Sequence, residues 1–301
     1  GRLASLANLT TARPAAESSK GSSSSEREAS ALVEEPLAPG LLGGHFGAWR
    51  LVRRLGQGSQ GRVYVGRDGT ADFAVKVTQL NKKHLVDRFH REVEIMKLLA
   101  HPCVVRLLSV HLESQWAGLV MDLAEGDLLQ AVAGSEQRRL KEVEARHVVK
   151  QLVEGMEHMH SRHIIHRDLK LENILIYSKQ ELQPHKFYEV RITDFGSSCI
   201  SEKGSSYAKG AVGTPPYMAP ELLHGGHHDV AVDFWSLGVA LFVMLNGYFP
   251  WRDTASSSWT FPDNEAFHHL SAEAKDLICR LLRFGPSERL SNCGAHAWTM
   301  G

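Results

Sequence analysis

Ile164-Ile165-His166-Arg167-Asp168-Leu169-Lys170-Leu171-Glu172-Asn173 is the stretch on which the reading of this chain turns, and Ile174, Leu175 and Ile176 follow it directly. A His, an Arg, an Asp, a Lys, a Glu and an Asn stand between strand-like apolar residues. Polar side chains this dense do not belong in an ordinary core. A solvated surface loop would also carry them. A second polar site, Asp194-Phe195-Gly196, lies downstream and is preceded by the alternating run Val190-Arg191-Ile192-Thr193. Two polar sites at the ends of neighbouring β segments, both offering hard oxygen donors, suit a metal and phosphate site.

Working outward, the chain of 301 residues is long enough for one large domain or two modest lobes. Its 34 basic and 34 acidic residues balance, which argues against a broad nucleic-acid or anionic-membrane surface. No apolar run approaches the roughly 20 residues that span a bilayer; the longest, Val239 to Leu245, reads as a buried helix. Cys103, Cys199, Cys279 and Cys293 have neither pair spacing nor metal-ligand spacing, as expected of reduced thiols in an intracellular, cytoplasmic protein. Cys199 reads either as a small inert thiol or as a redox handle.

Residues 1–44 are rich in Ser, Ala, Glu and Pro without apolar periodicity, and are expected to form a disordered tail. Arg2 and Arg13 without a nearby acid leave an organelle transit peptide as an alternative reading. Asn8-Leu9-Thr10 matches a glycosylation sequon, against which the cysteines argue. Trp49 to Leu55 reads as a strand leading into Gly56-Gln57-Gly58-Ser59-Gln60-Gly61. A dinucleotide-binding turn would continue into a helix. The β-like Val63-Tyr64-Val65 favours instead a strand-turn-strand flap whose glycines let backbone approach an anion. Strands are expected at Asp72 to Val77, His101 to Leu107 and Gly118 to Met121, and helices at Asp87 to Leu99, Leu128 to Val132 and Lys141 to His160. His158, His160 and His163 lack the carboxylate spacing of a zinc site and read as surface or core histidines.

Three further motifs, Gly213-Thr214-Pro215-Pro216-Tyr217-Met218-Ala219-Pro220-Glu221, Asp233-Phe234-Trp235-Ser236-Leu237-Gly238 and Gly285-Pro286-Ser287-Glu288-Arg289-Leu290, complete the pattern. From Trp49 to Trp298 the chain resembles the eukaryotic protein kinases, serine/threonine type, with several independent motifs in the family's order. The run Ser271 to Ile278 is loosely similar to the calmodulin-dependent and Snf1-like group.

The resemblance implies an α+β, two-lobed fold: a small antiparallel β-sheet lobe with one main helix (about 45–121), a hinge (about 122–126) and a larger, mostly helical lobe (about 127–300). It implies transfer of the γ-phosphoryl group of ATP, with Mg²⁺, to serine or threonine hydroxyls of protein substrates; a pseudokinase scaffold is the alternative. Asp168, Lys170, Lys76, Glu92 and Thr214 would carry the chemistry, and Asn173 and Asp194 would hold the metal. Leu55, Gly56, Gln57, Gly58, Ser59, Gln60, Gly61, Val63, Ala74, Lys76, Met121 and Leu175 would contact the nucleotide. Gln60 stands where the family usually carries an aromatic. Glu92 aligns with the family's partner of Lys76, and Glu94 is expected on the solvated face. Asp233 would hold the catalytic loop, Arg289 would pair with Glu221, and Asp127 would touch ribose or substrate. The hinge is one residue short. Tyr177 to Glu189 reads as an insertion at a β turn near Pro184, carried on the surface, and Trp251 to His269 as a reduced substrate-binding helix. Gly210 occupies the position of the usual phosphorylated Thr. The resemblance therefore leaves two readings, phosphorylation of Ser205 or Ser206, by an upstream kinase or autophosphorylation, and an enzyme that needs no phosphate.

Overall fold

Alternation of inward and outward side chains builds the first part of the chain into a curled antiparallel sheet. The computed structural model describes residues 44–58, 61–201, 210–251 and 269–301. Nearly all of the expected tail, Ser59, Gln60, Ser205 and Ser206, and residues 252–268 of the expected reduced helix lie outside the described residues.

The strands are β1 (His45–Phe46), β2 (Trp49–Gly58), β3 (Gly61–Arg67), β4 (Asp72–Gln79), β5 (Leu107–Glu113) and β6 (Trp116–Asp122), in the order β1-β2-β3-β4-β6-β5. On one face Phe46, Leu51, Tyr64, Val75, Val77 and Val120 form a small core of their own. On the other, Ala74 and Met121 join the main core with helix α1 (Lys83–Leu98).

Helix α1 has no acid in its first turn and no side-chain cap at Lys82. A missing cap costs about 1 kcal/mol. Burial of Phe89, Val93, Ile95 and Met96 outweighs that, at roughly 1.5–3 kcal/mol per large apolar side chain. The helix starts four residues ahead of the expected Asp87.

The strand expected over His101 to Leu107 is a correction. Those residues form a turn and a single parallel bridge, Val104 to Ile192, and the sheet strand β5 begins only at Leu107. The β-branched pair Val104-Val105 is used elsewhere: Val105 N–H donates to Ile192 O and Ile192 N–H to Cys103 O, both at 2.9 Å. This bridge joins the loop after α1 to the large lobe.

The large lobe holds β7 (Gly126–Asp127), α2 (Leu128–Ala133), α3 (Glu142–His160), β8 (Ile164–Ile165), β9 (Ile174–Leu182), β10 (His185–Ile192), β11 (Cys199–Ile200), α4 (Pro220–Leu223), α5 (Ala231–Asn246), α6 (Ala272–Leu281) and α7 (Ala297–Met300). Helix α3 buries Ala145, Val148, Val149, Leu152 and Met156, with acids in its first turn and histidines in its last, both suited to the helix dipole. Every residue of α5 is buried, so it is apolar all round and sits in the middle of the lobe. Among the described residues no helix is long and apolar enough to cross a membrane.

The stretch Tyr177 to Glu189 turns at Pro184 and exposes residues 179–184, as expected of an insertion carried on the surface, and it is a regular hairpin. Strands β9 and β10 pair along their whole length, from Ile174–Ile192 to Leu182–His185, with one bulge at Glu189/Val190. Residues of α3 back the second strand: Lys186 N–H donates to Glu144 Oε1 at 2.9 Å, and the Gln151 side chain bonds Tyr188 O and Val190 N–H at 2.8 and 2.9 Å. The two lobes together give the expected α+β, two-lobed architecture.

Candidate active site

Between the lobes lies a cavity of about 340 Å³. Leu55, Gly56, Gln57, Gly61, Val63, Ala74, Lys76, Met121, Asn173, Leu175 and Asp194 all line it. Gly58 pairs with Gly61 at the end of the flap. At Gly61, φ is 151°, and a Cβ would run into Val77 O, so the flap needs glycine there.

Strand alternation turns Lys76 of β4 inward, where its Nζ meets Glu92 Oε1 at 2.7 Å and Asp194 Oδ1 at 2.8 Å. Glu94 is exposed, so the helix presents Glu92 to the lysine and Glu94 to solvent. Burial works against the Lys76 charge, yet Asp194 and Glu92 raise its pKa above the ordinary lysine range. Burial would also raise Asp194; the Lys76 charge outweighs it and holds the carboxyl down at about 2.

Asp168, Lys170 and Thr214 meet beside the cavity. Thr214 Oγ1–H donates to Asp168 Oδ1 at 2.7 Å, and Lys170 Nζ donates to Thr214 Oγ1 at 2.6 Å and to Asp168 Oδ2 at 3.1 Å. Asn173 Nδ2 donates to the Asp168 carbonyl at 2.9 Å, which makes its Oδ1 the amide atom able to meet a cation. Gly213, with φ 119°, lets Thr214 approach this closely, since a Cβ there would stand 2.5 Å from Arg167 O.

The loop itself is held from below. Asp233, at the start of α5, accepts the His166 and Arg167 amides, each at 2.9 Å, and the His160 side chain at 2.8 Å. Burial would raise the Asp233 pKa, but the His160 hydrogen bond and charge hold it below the usual range. His166 donates Nε2–H to Thr193 O at 3.0 Å, tying the loop to the residue before Asp194. The His158 ring lies against that of His101, tilted by 33°, with ring centroids 4.8 Å apart.

Arg167 and Asp194 both have φ 66°, a left-handed conformation unusual for non-glycine residues. Such backbone persists where its surroundings over-determine it. Here Arg88 of α1 donates from Nε to Gly196 O at 2.5 Å, and Arg167 donates from Nε to Ser197 O at 2.7 Å. Burial pushes the Cys199 thiol pKa up, against the opposing charge of Arg167.

Some lining residues have no motif to mark them. Met96 of α1 and Val105 of the turn after it reach the cavity wall, and Leu123 to Asp127 form its rim. Asp127 also caps α2, accepting Gln130 N–H at 2.9 Å. Glu172 is flanked by predicted site residues, and its position between Lys170 and Asn173 was the available signal; burial raises its carboxyl.

A family model for the protein kinase domain matches residues 49–299. CBL-interacting serine/threonine-protein kinase 8 of Arabidopsis thaliana is 34% identical, over 81% of this chain and 55% of the relative. CBL-interacting protein kinase 3 of Oryza sativa subsp. japonica is 35% identical, over 82% and 56%. Calcium-dependent protein kinase 5 of Plasmodium falciparum is 33% identical, over 79% and 42%. The chain thus spans about half the length of these curated relatives.

Proposed function

The chain belongs to the protein kinase family, and on that premise we propose that it transfers the γ-phosphoryl group of ATP to serine or threonine hydroxyls of protein substrates. The observation that carries this reading is the convergence of two hydrogen-bonded sets, Lys76 with Glu92 and Asp194, and Asp168 with Lys170 and Thr214. Phosphoryl transfer asks mainly for positioning and charge neutralisation.

In this reading Asp168 orients the acceptor hydroxyl and takes its proton, while Thr214 and Lys170 fix the carboxylate. Lys170 reaches the γ-phosphate, and Lys76, fixed by Glu92, holds the other phosphates. Asn173 and Asp194 line the cavity and offer hard oxygens of the kind Mg²⁺ prefers. Bound there, Mg²⁺ would neutralise phosphate charge. A scaffold without catalysis would have no need of the complete set.

Purified protein should phosphorylate Ser/Thr peptides with Mg·ATP. Asp194→Ala should abolish the activity, and Lys76→Met should reduce it by about 10²-fold or more, with the fold retained by circular dichroism. Near wild-type turnover in either variant would refute the assignment.

We also propose activation by a phosphate on Ser205 or Ser206. Burial lowers the Arg167 pKa, and the charges of Arg91 and Arg88 lower it further. An added anion would relieve that repulsion and form charge-assisted hydrogen bonds. Phosphatase treatment, and a Ser205→Ala/Ser206→Ala double variant, should each lower the peptide kinase rate. Unchanged rates in both would favour the enzyme that needs no phosphate.

A further inference from the structure

The hairpin β9–β10 reaches the rim of the cavity through side chains that phosphoryl transfer does not require. Strand β6 ends at Asp122, and the next residues, Leu123 to Gly126, line the cavity up to the first residue of β7. Both ends of this short connection are tied to β9. At its start the Tyr177 hydroxyl donates to the Asp122 carbonyl at 3.1 Å. At its end Glu125 N–H donates to Ile176 O at 2.8 Å, and Gly126 and Asp127 pair with Ile176 and Leu175.

Arg191 of β10 locks the first tie. Its Nη1 donates to Asp122 Oδ2 at 3.1 Å, and its guanidinium lies 3.9 Å from the centre of the Tyr177 ring. Stacking of this kind fixes both the ring and the cation. Arg106 approaches the other Asp122 oxygen at 3.4 Å, but its side chain is 68% exposed, and an exposed pair of that length contributes little. Burial pushes the Tyr177 phenol up to about 12, so it remains a donor at ordinary pH.

We propose that Tyr177 and Arg191 are positioning residues for nucleotide binding, which hold the cavity-lining connection Leu123–Gly126 in place from the side away from the chemistry. The inference rests on the reading of the cavity as the ATP site. Neither residue touches Asp168, Lys76 or Asp194 through any hydrogen bond described above, so their effect should fall on nucleotide affinity and leave the transfer step alone. A connection of so few residues has little slack, and losing an anchor at one end lets its backbone drift.

The test uses the full chain with Tyr177→Phe, which keeps the ring and loses only the hydroxyl, and with Arg191→Leu and Arg191→Lys. Lys179→Ala, at an exposed position on the same strand, is the control. Calorimetry with Mg·ATP gives Kd, steady-state kinetics give KM for ATP, KM for peptide and kcat, and thermal melts give stability. We expect Tyr177→Phe to weaken ATP by about threefold to tenfold, the worth of one hydrogen bond, with kcat and peptide KM unchanged. Arg191→Leu should weaken ATP at least as much, Arg191→Lys should recover part of the loss, and Lys179→Ala should match wild type. ATP affinity unchanged in both Tyr177→Phe and Arg191→Leu, whatever their melting temperatures, would overturn the inference. Equal losses in ATP and peptide affinity that track melting temperature would also overturn it, since they mark a merely structural role. A wild-type chain that binds no ATP would overturn the proposed function itself, a result these variants cannot produce.

Discussion

Arg289 uses all of its N–H donors inside the protein. Nε donates to Arg283 O, and the two terminal nitrogens meet Glu221 at 2.5 and 2.7 Å and also reach Ala231 O and Phe284 O. Its side chain is 1% exposed. Removing one partner from such a site leaves the other charge uncompensated, at a cost on the order of 3–5 kcal/mol. Arg289→Ala should therefore lower the melting temperature clearly, and a double-mutant cycle with Glu221→Ala should show strong coupling. Additive effects would sink the pair. The motifs around Glu221 and Arg289 announced this contact. The backbone carbonyls that complete the shell carry no side-chain signal, so the sequence was silent about them.

At the scale of elements, strand β10 shows how a long sheet edge is protected. Its outer edge would expose unpaired amides and carbonyls, a template for another chain. Helix α3 covers it with side chains. Gln151 both accepts and donates, as a neighbouring strand would, Glu144 accepts the Lys186 amide, and Lys141 Nζ donates to Pro184 O at 2.7 Å. Gln151→Ala would strand one amide and one carbonyl, which should destabilise the protein by about 1–3 kcal/mol in a urea titration. A loss under about 0.5 kcal/mol would show that water replaces the side chain. Pro184 marked the turn from sequence, but nothing local reports a helix about forty residues earlier as the partner. The same limit explains the strand misplaced at His101 to Leu107, where β-branched residues pair with Ile192 in the other lobe.

Across the whole molecule, the legible part was what short motifs encode and the illegible part was what long-range packing decides. His166 to Asn173, Asp194 to Gly196 and Gly213 to Glu221 could be recognised because their chemistry needs residue types at fixed spacing. The two lobes followed from the resemblance that these motifs carry. The connection Leu123–Gly126 could be placed, but its ties to Tyr177 and Ile176 depend on a hairpin some fifty residues away, beyond any local pattern.

Helix α5, buried along its full length, carries one further implication through Asp233. Loops ordinarily exchange their amide hydrogens with solvent through small local openings, independently of global unfolding. The amides of His166 and Arg167 are bonded to a carboxylate that is itself 0% exposed on a helix with no solvent face. To free them, the large lobe must come apart around α5. In deuterium labelling this loop should keep its protons as long as the core helices do, so that a segment irregular in shape has the kinetics of regular secondary structure.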